Sequence, residues 1–67
     1  MFVTFFGEET MDQAIIQYQD NSGNWVPVGN VPSQPPLIVQ GMRRASEYYR
    51  GSRIRAVDFD GRVLDIL

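Results

Sequence analysis

Five arginines lie within the 13 residues from Arg43 to Arg55, and they are the side chains of this sequence best suited to recognition chemistry. A guanidinium is planar and always charged. Its fork of donors fits a carboxylate or phosphate two bonds at a time, and its flat face stacks on aromatic rings. Arg43, Arg44 and Arg50 fall in one stretch and Arg53 and Arg55 in the next, with Tyr48 and Tyr49 among them. Arg62 is the only other cationic side chain, because the chain has neither lysine nor histidine. Charge is therefore segregated: residues 1–42 sum to −4, residues 43–55 to +4 and residues 56–67 to −2. Such separation bears on encounter and solubility more than on fold.

Catalytic chemistry has little to use. Ser22, Ser33, Ser46 and Ser52 have no histidine, cysteine or lysine to activate them. Ala56-Val57-Asp58-Phe59-Asp60-Gly61 resembles the nucleophile motif of the haloacid dehalogenase-like phosphatases, an apolar strand ending in Asp-x-Asp-Gly. That resemblance implies a nucleophilic Asp58 and a proton-handling Asp60. Arg62 stands where that family has Thr or a relative, and the six residues after Gly61 are too few to form the layers that hold its other groups. The expectation is that Asp60-Gly61 forms a β-turn and that the protein is not an enzyme. Arg43-Arg44-Ala45-Ser46 has the look of a basophilic kinase site but falls inside an expected helix, so it reads as a solvated helix face.

Sixty-seven residues make one domain, spanning 1–67. A chain of this length buries only ~60% of the surface its unfolded state exposes. Without cysteine there are no disulfides or thiolate metal sites, and without histidine no imidazole ligands. No cofactor and no metal are expected, so packing or self-association must supply stability. Eight aromatic residues provide the volume, and Trp25 is expected mainly in the core. The apolar run Met1–Phe6 is too short for a signal-peptide core or a membrane span. The expected setting is soluble and cytoplasmic, with no membrane partner.

The elements that position the arginines follow from periodicity. Met1–Phe6 reads as a first strand. Two readings of residues 11–19 stand. Thr10–Gln13 matches a helix capping box, with Met11, Ala14, Ile15 and Tyr18 at helical spacing. Alternatively, Ala14–Gln19 pairs with Trp25–Val28 around the turn-rich residues 20–24, and this hairpin is preferred. Pro27 places its strand at an edge or a bulge. Residues 28–36 read as an extended connection. A helix follows from about Pro36 to Arg50, with Gly51 as the left-handed residue after it. Ile38, Met42, Ala45 and Tyr49 form its apolar stripe, widened by Leu37, Gly41 and Tyr48. Arg43, Glu47 and Arg50 take the wet side. Gly41 is expected to let the helix approach the sheet closely.

Arg53–Phe59 and Arg62–Leu67 read as a second hairpin turning on Asp60-Gly61. A two-residue turn sets Phe59 opposite Arg62, Val57 opposite Leu64 and Arg55 opposite Ile66. That register assigns Val57, Phe59, Leu64 and Ile66 to the core. It turns Ile54, Ala56, Asp58, Val63, Asp65 and Leu67 away from it, and a bulge at Gly61 would shift it by one residue. The expected fold class is α+β: a small antiparallel sheet of four to five strands in β-β-β-α-β-β order, with one helix packed on one face.

The functional expectation is a non-catalytic protein-binding module. Arg43, Arg44, Arg50, Arg53 and Arg55, with Tyr48 or Tyr49, would engage an acidic protein surface. Arginine and tyrosine are enriched at interfaces and lysine is depleted. The plan is similar in size and class to small phage- or mobile-element-encoded accessory proteins that bind and inhibit a host protein, an analogy that assigns no residue. A structural homo-oligomer, such as a homodimer or virion component, is the first alternative. Nucleic-acid binding through the arginines is the second, opposed by a pI near 4.7.

Overall fold

The computed structural model of the chain describes residues 12–67. The expected first strand, Met1–Phe6, lies outside them. Two strands, β1 (Gln13–Gln19) and β2 (Trp25–Pro32), are followed by a helix, α1 (Pro35–Tyr48), and by β3 (Ile54–Val57) and β4 (Val63–Ile66). All neighbouring strands are antiparallel, in the order β2-β1-β3-β4. The fold is α+β, as the periodicity indicates, and residues 13–19 are strand rather than helix. β2 and β3 both run antiparallel to β1 and flank it, so α1 carries the chain across β1 from one to the other.

The helix begins at Pro35 and Pro36, whose missing donors cost nothing in a first turn. It ends at Tyr49, and Gly51 then takes a φ of 85° as the chain reverses toward β3. Ile38, Met42 and Ala45 of α1 pack on Ala14 and Ile16 of β1 and on Ile54 and Ala56 of β3. Three of these seven are alanines, which lets helix and sheet sit close. Tyr49 closes one end, its ring stacked on Tyr18 at 3.9 Å between centroids and 9° between planes. Offset stacking of this kind adds ~0.5–1.5 kcal/mol beyond area burial.

β2 extends to Pro32, through residues that the sequence marks as a connection. Its register slips between Ile16 and Gln17, which leaves Val28 over, next to Pro27. Pro27 thus sits both at an edge and beside a bulge, the two places where a strand tolerates a missing donor.

The β3–β4 hairpin corrects the expected register. Its loop has three residues, not two: Asp58 N–H donates to Arg62 O (3.0 Å) and Gly61 N–H to Asp58 O (3.0 Å), with Gly61 at a φ of 85°. The Asp58 carboxylate selects this loop, because its Oδ1 accepts the N–H groups of Asp60 and Arg62, each at 2.9 Å. Arg55 still faces Ile66, but Val57 faces Val63 in place of Leu64. The core assignment changes too, because α1 covers the face of β3 opposite to the expected one. Ile54 and Ala56 are buried beneath α1, whereas Phe59, Leu64 and Ile66 are exposed. Val57 is buried, but on the helix-free face beside Ile15. The helix packs mainly on β1, β2 and β3, and all four residues of β4 are exposed.

The β1–β2 loop is built the same way. Asp20 Oδ1 accepts from Ser22 and Asn24 N–H, each at 2.9 Å, and Gly23 has a φ of 88°. Replacing Asp58 with alanine removes both acceptor contacts and should cost about 1 kcal/mol. A urea titration should show a lower midpoint with an unchanged slope. An unchanged midpoint would mean that the glycine alone fixes the loop.

Candidate binding surface

The fold separates the arginines that the sequence groups together. Arg43, Arg44 and Tyr48 lie on exposed positions of α1, and Arg50 and Arg53 are exposed on either side of Gly51. Arg55 is elsewhere. It belongs to β3, and its half-buried side chain points to the face of the sheet away from α1. Its Nε donates to Gln17 Oε1 at 2.7 Å, and its guanidinium carbon stands 4.1 Å from the centre of the Trp25 ring. Strand alternation builds this cluster: Gln17 is opposite Arg55, and Gln19, two residues on along β1, is opposite Trp25. Trp25 is therefore a half-buried platform for Arg55, not part of the core under α1. A cation–ring pair of this kind contributes ~0.5–1 kcal/mol at a partly exposed site.

Among the described residues, only Arg62 forms ion pairs, with Asp58 (3.6 Å) and Asp60 (3.5 Å). Arg43, Arg44, Arg50 and Arg53 form no ion pair with another described residue. Glu47, one turn from Arg43 on the same helix, is not within pairing distance of it. The helix arginines are thus exposed without an ion-pair partner among the described residues.

Arg44 has the most defined surroundings. A cleft of about 430 Å³ runs between α1 and β2. Ile16, Val31, Gly41, Ala45 and Tyr49 line its apolar part, and Arg44 and Tyr48 line its outer wall. Residues 44 and 48 are one helical turn apart and so share a helix face. A smaller recess of about 130 Å³ continues past Gly41 and Arg44 toward Leu37 and Pro32. Arg44 borders both, so one guanidinium commands the length of an apolar groove. Tyr48, 84% exposed, presents a large ring at the end of it. The groove escapes local sequence reading because half of it is β2, in the segment read as a connection. Val26, Val28 and Val31 do not keep a period of two, because the bulge at Val28 interrupts it, so no simple strand pattern marks this wall.

The two other motifs resolve into structure. Ser46 is half-buried in α1 and its Oγ donates to the Arg43 carbonyl at 2.7 Å. Asp58, the carboxylate that the phosphatase resemblance makes a nucleophile, is engaged by two backbone N–H groups and faces Arg62. Among the described residues, no three acidic side chains converge as metal ligands, and no helix is long and apolar enough to cross a membrane. Comparison with protein-family models, curated proteins and solved structures returns no match.

Proposed function

We propose that the chain is a non-catalytic binding module that engages an acidic surface of a protein partner through the exposed arginines of α1 and the turn that follows it. The supporting observation is the state of Arg44. It flanks an apolar groove and has no carboxylate partner among the described residues. An arginine beside apolar surface and an exposed tyrosine is the composition of an interface hot spot. Arg43, Arg50 and Arg53 add steering charge around it, while Arg55 holds Trp25 and takes no part.

The test uses the folded protein as bait beside a variant carrying Arg44→Glu and Arg53→Glu. Both side chains are exposed and form no ion pair among the described residues, so the variant should keep its stability within ~1 kcal/mol. A specific protein retained by the parent and lost by the equally stable variant is the expected result. Marked unfolding of the variant, or identical retention by both baits, would overturn the reading. Binding to nucleic acid, with affinity falling steeply as salt rises, would replace it with the phosphate-binding alternative.

One observation favours self-association as a second reading. Phe59, Val63, Leu64, Ile66 and Leu67 are all exposed on or beside the short edge strand β4. Edge strands with apolar side chains invite pairing. Sedimentation across a wide concentration range decides this: a mass that rises with concentration supports a homo-oligomer, and a dilute monomer that keeps its stability removes it.

A further inference from the structure

Among the described residues the sheet has two edges, and their chemistry differs. β4 is one. Ile66 faces Arg55 in a pair whose backbone groups point away from β3, since Leu67 N–H already donates to Ile54 O next to it. The outward Ile66 N–H is not open, because it donates to Asp65 Oδ1 at 2.8 Å. With its bulge and its four-residue length, β4 is a guarded edge.

β2 is the other. Ser33 N–H donates to Asp12 O at 2.8 Å, so that pair is hydrogen-bonded across the ladder. Alternation then makes Ala14–Val31 and Ile16–Gly29 bonded pairs, and turns the backbone of Asn30 and Pro32 outward. Pro32 has no donor to offer. Asn30 therefore carries the outward N–H of this stretch, between Pro27 and Pro32, which stop pairing on either side. Unlike Ile66, Asn30 has no side-chain acceptor on its N–H among the described residues. This open strip is also one wall of the apolar groove that Arg44 flanks.

We infer that the β2 edge is a docking site for a short extended segment of the partner. The segment adds as a strand at Asn30, lays apolar side chains over Val31 and Gly41, and places an Asp or Glu carboxylate on Arg44. The inference rests on the acidic-partner reading above and specifies how that partner is held. Strand addition draws affinity from main-chain bonds and specificity from pockets for alternate side chains. Here a single outward donor between two prolines fixes the register, and one cation fixes the charge of the residue above it. Charge complementarity selects an acidic peptide over a second copy of this edge, because Arg44 would then approach another cationic groove.

The test pans a displayed library of random heptapeptides against the full chain, and then titrates the synthesised winners into labelled protein followed by amide NMR. Winners should carry an Asp or Glu flanked by β-branched or aromatic residues. They should shift the amides of Gly29, Asn30 and Val31 and slow hydrogen exchange at Asn30. Arg44→Glu should weaken them at least tenfold. Asn30→Pro removes the backbone donor and should lose binding. If Asn30→Pro does not fold, protection of the Asn30 amide in the parent decides the matter alone. Acidic winners that shift only residues around Arg43, Arg50 and Arg53 would overturn strand addition while leaving the acidic-partner reading intact. A library yielding no acidic winners would overturn both. Concentration-dependent shifts at Gly29–Val31 without peptide would overturn the inference in favour of a second copy at this edge.

Discussion

Met42→Ala should remove a third or more of the stability of this protein. Met42 is 1% exposed and, with Ile54, is one of the two largest fully buried side chains among the described residues. It sits in the middle of α1 and meets both sheet strands beneath the helix through a core otherwise rich in alanine. Truncating a buried methionine costs about 2–5 kcal/mol, the lost transfer energy plus the cavity left behind. A domain of this length holds roughly 3–10 kcal/mol in total. The alanines beneath Met42 have no longer side chains to swing into the space, which places the loss toward the upper half of that range. In urea, with a slope near 1 kcal/mol/M for so small a chain, the midpoint should fall by about 2 M or more. Met42→Leu keeps the volume and should stay within ~1.5 kcal/mol. A midpoint for Met42→Ala within a few tenths of the parent's would show that the helix is not held by this core.

The same residue shows what the sequence reveals. Ile38, Met42 and Ala45 recur at helical spacing, and all three are the buried face of α1, because one amphipathic stripe needs only local chain to be read. The hairpin after it was not legible in the same way. Asp60-Gly61 fits a two-residue turn, and a three-residue loop contains the same pair. The choice belongs to the Asp58 carboxylate, which captures the N–H groups of Asp60 and Arg62. The loop alters pairing only next to the turn: Arg55 still faces Ile66, so it does not decide which face of β3 is buried. The helix decides that, covering the face that carries Ile54 and Ala56 and leaving Phe59, Leu64 and Ile66 exposed. One clue was present: the two-residue register put Arg55 on the core side with Val57. A charged side chain without a partner there is costly, and the structure instead lays it on Trp25 at the opposite face.

The candidate site was legible in part. Its charge was visible in Arg43 and Arg44, but its shape depends on contacts that no local pattern encodes. Arg44 meets the β2 side of the groove only because β2 lies next to β1 and α1 crosses above both. The sequence also grouped Arg55 with the helix arginines through proximity along the chain. Strand alternation divides them between the two faces of the sheet.

Gly41→Leu should be the second most damaging substitution, and it connects packing to the groove. A Cβ at this position would stand 3.1 Å from Val31 Cγ1, and 3.2 and 3.3 Å from Ile16 Cγ1 and Cδ1. Those distances require the neighbours to give way by a few tenths of an ångström, and Ile16 is part of the buried core. Alanine gains ~1 kcal/mol of helix propensity over glycine. That gain opposes the crowding, so Gly41→Ala should change stability by less than ~1 kcal/mol. Leucine gains the same propensity but drives three further carbons into the gap between α1 and β2. Overpacking of this kind costs about 1–3 kcal/mol, and occasionally more when the backbone must move. We expect a loss of about 2 kcal/mol or more, read from the thermal or urea midpoint. The groove responds to the same change, because Gly41 lines both the main cleft and its continuation toward Pro32. Gly41→Ala should therefore be the more informative variant for function, with stability nearly kept and the apolar floor beside Arg44 raised by one methyl. A Gly41→Leu protein as stable as the parent would mean that the helix rides higher over β1 and β2 than the close contacts of Gly41 require.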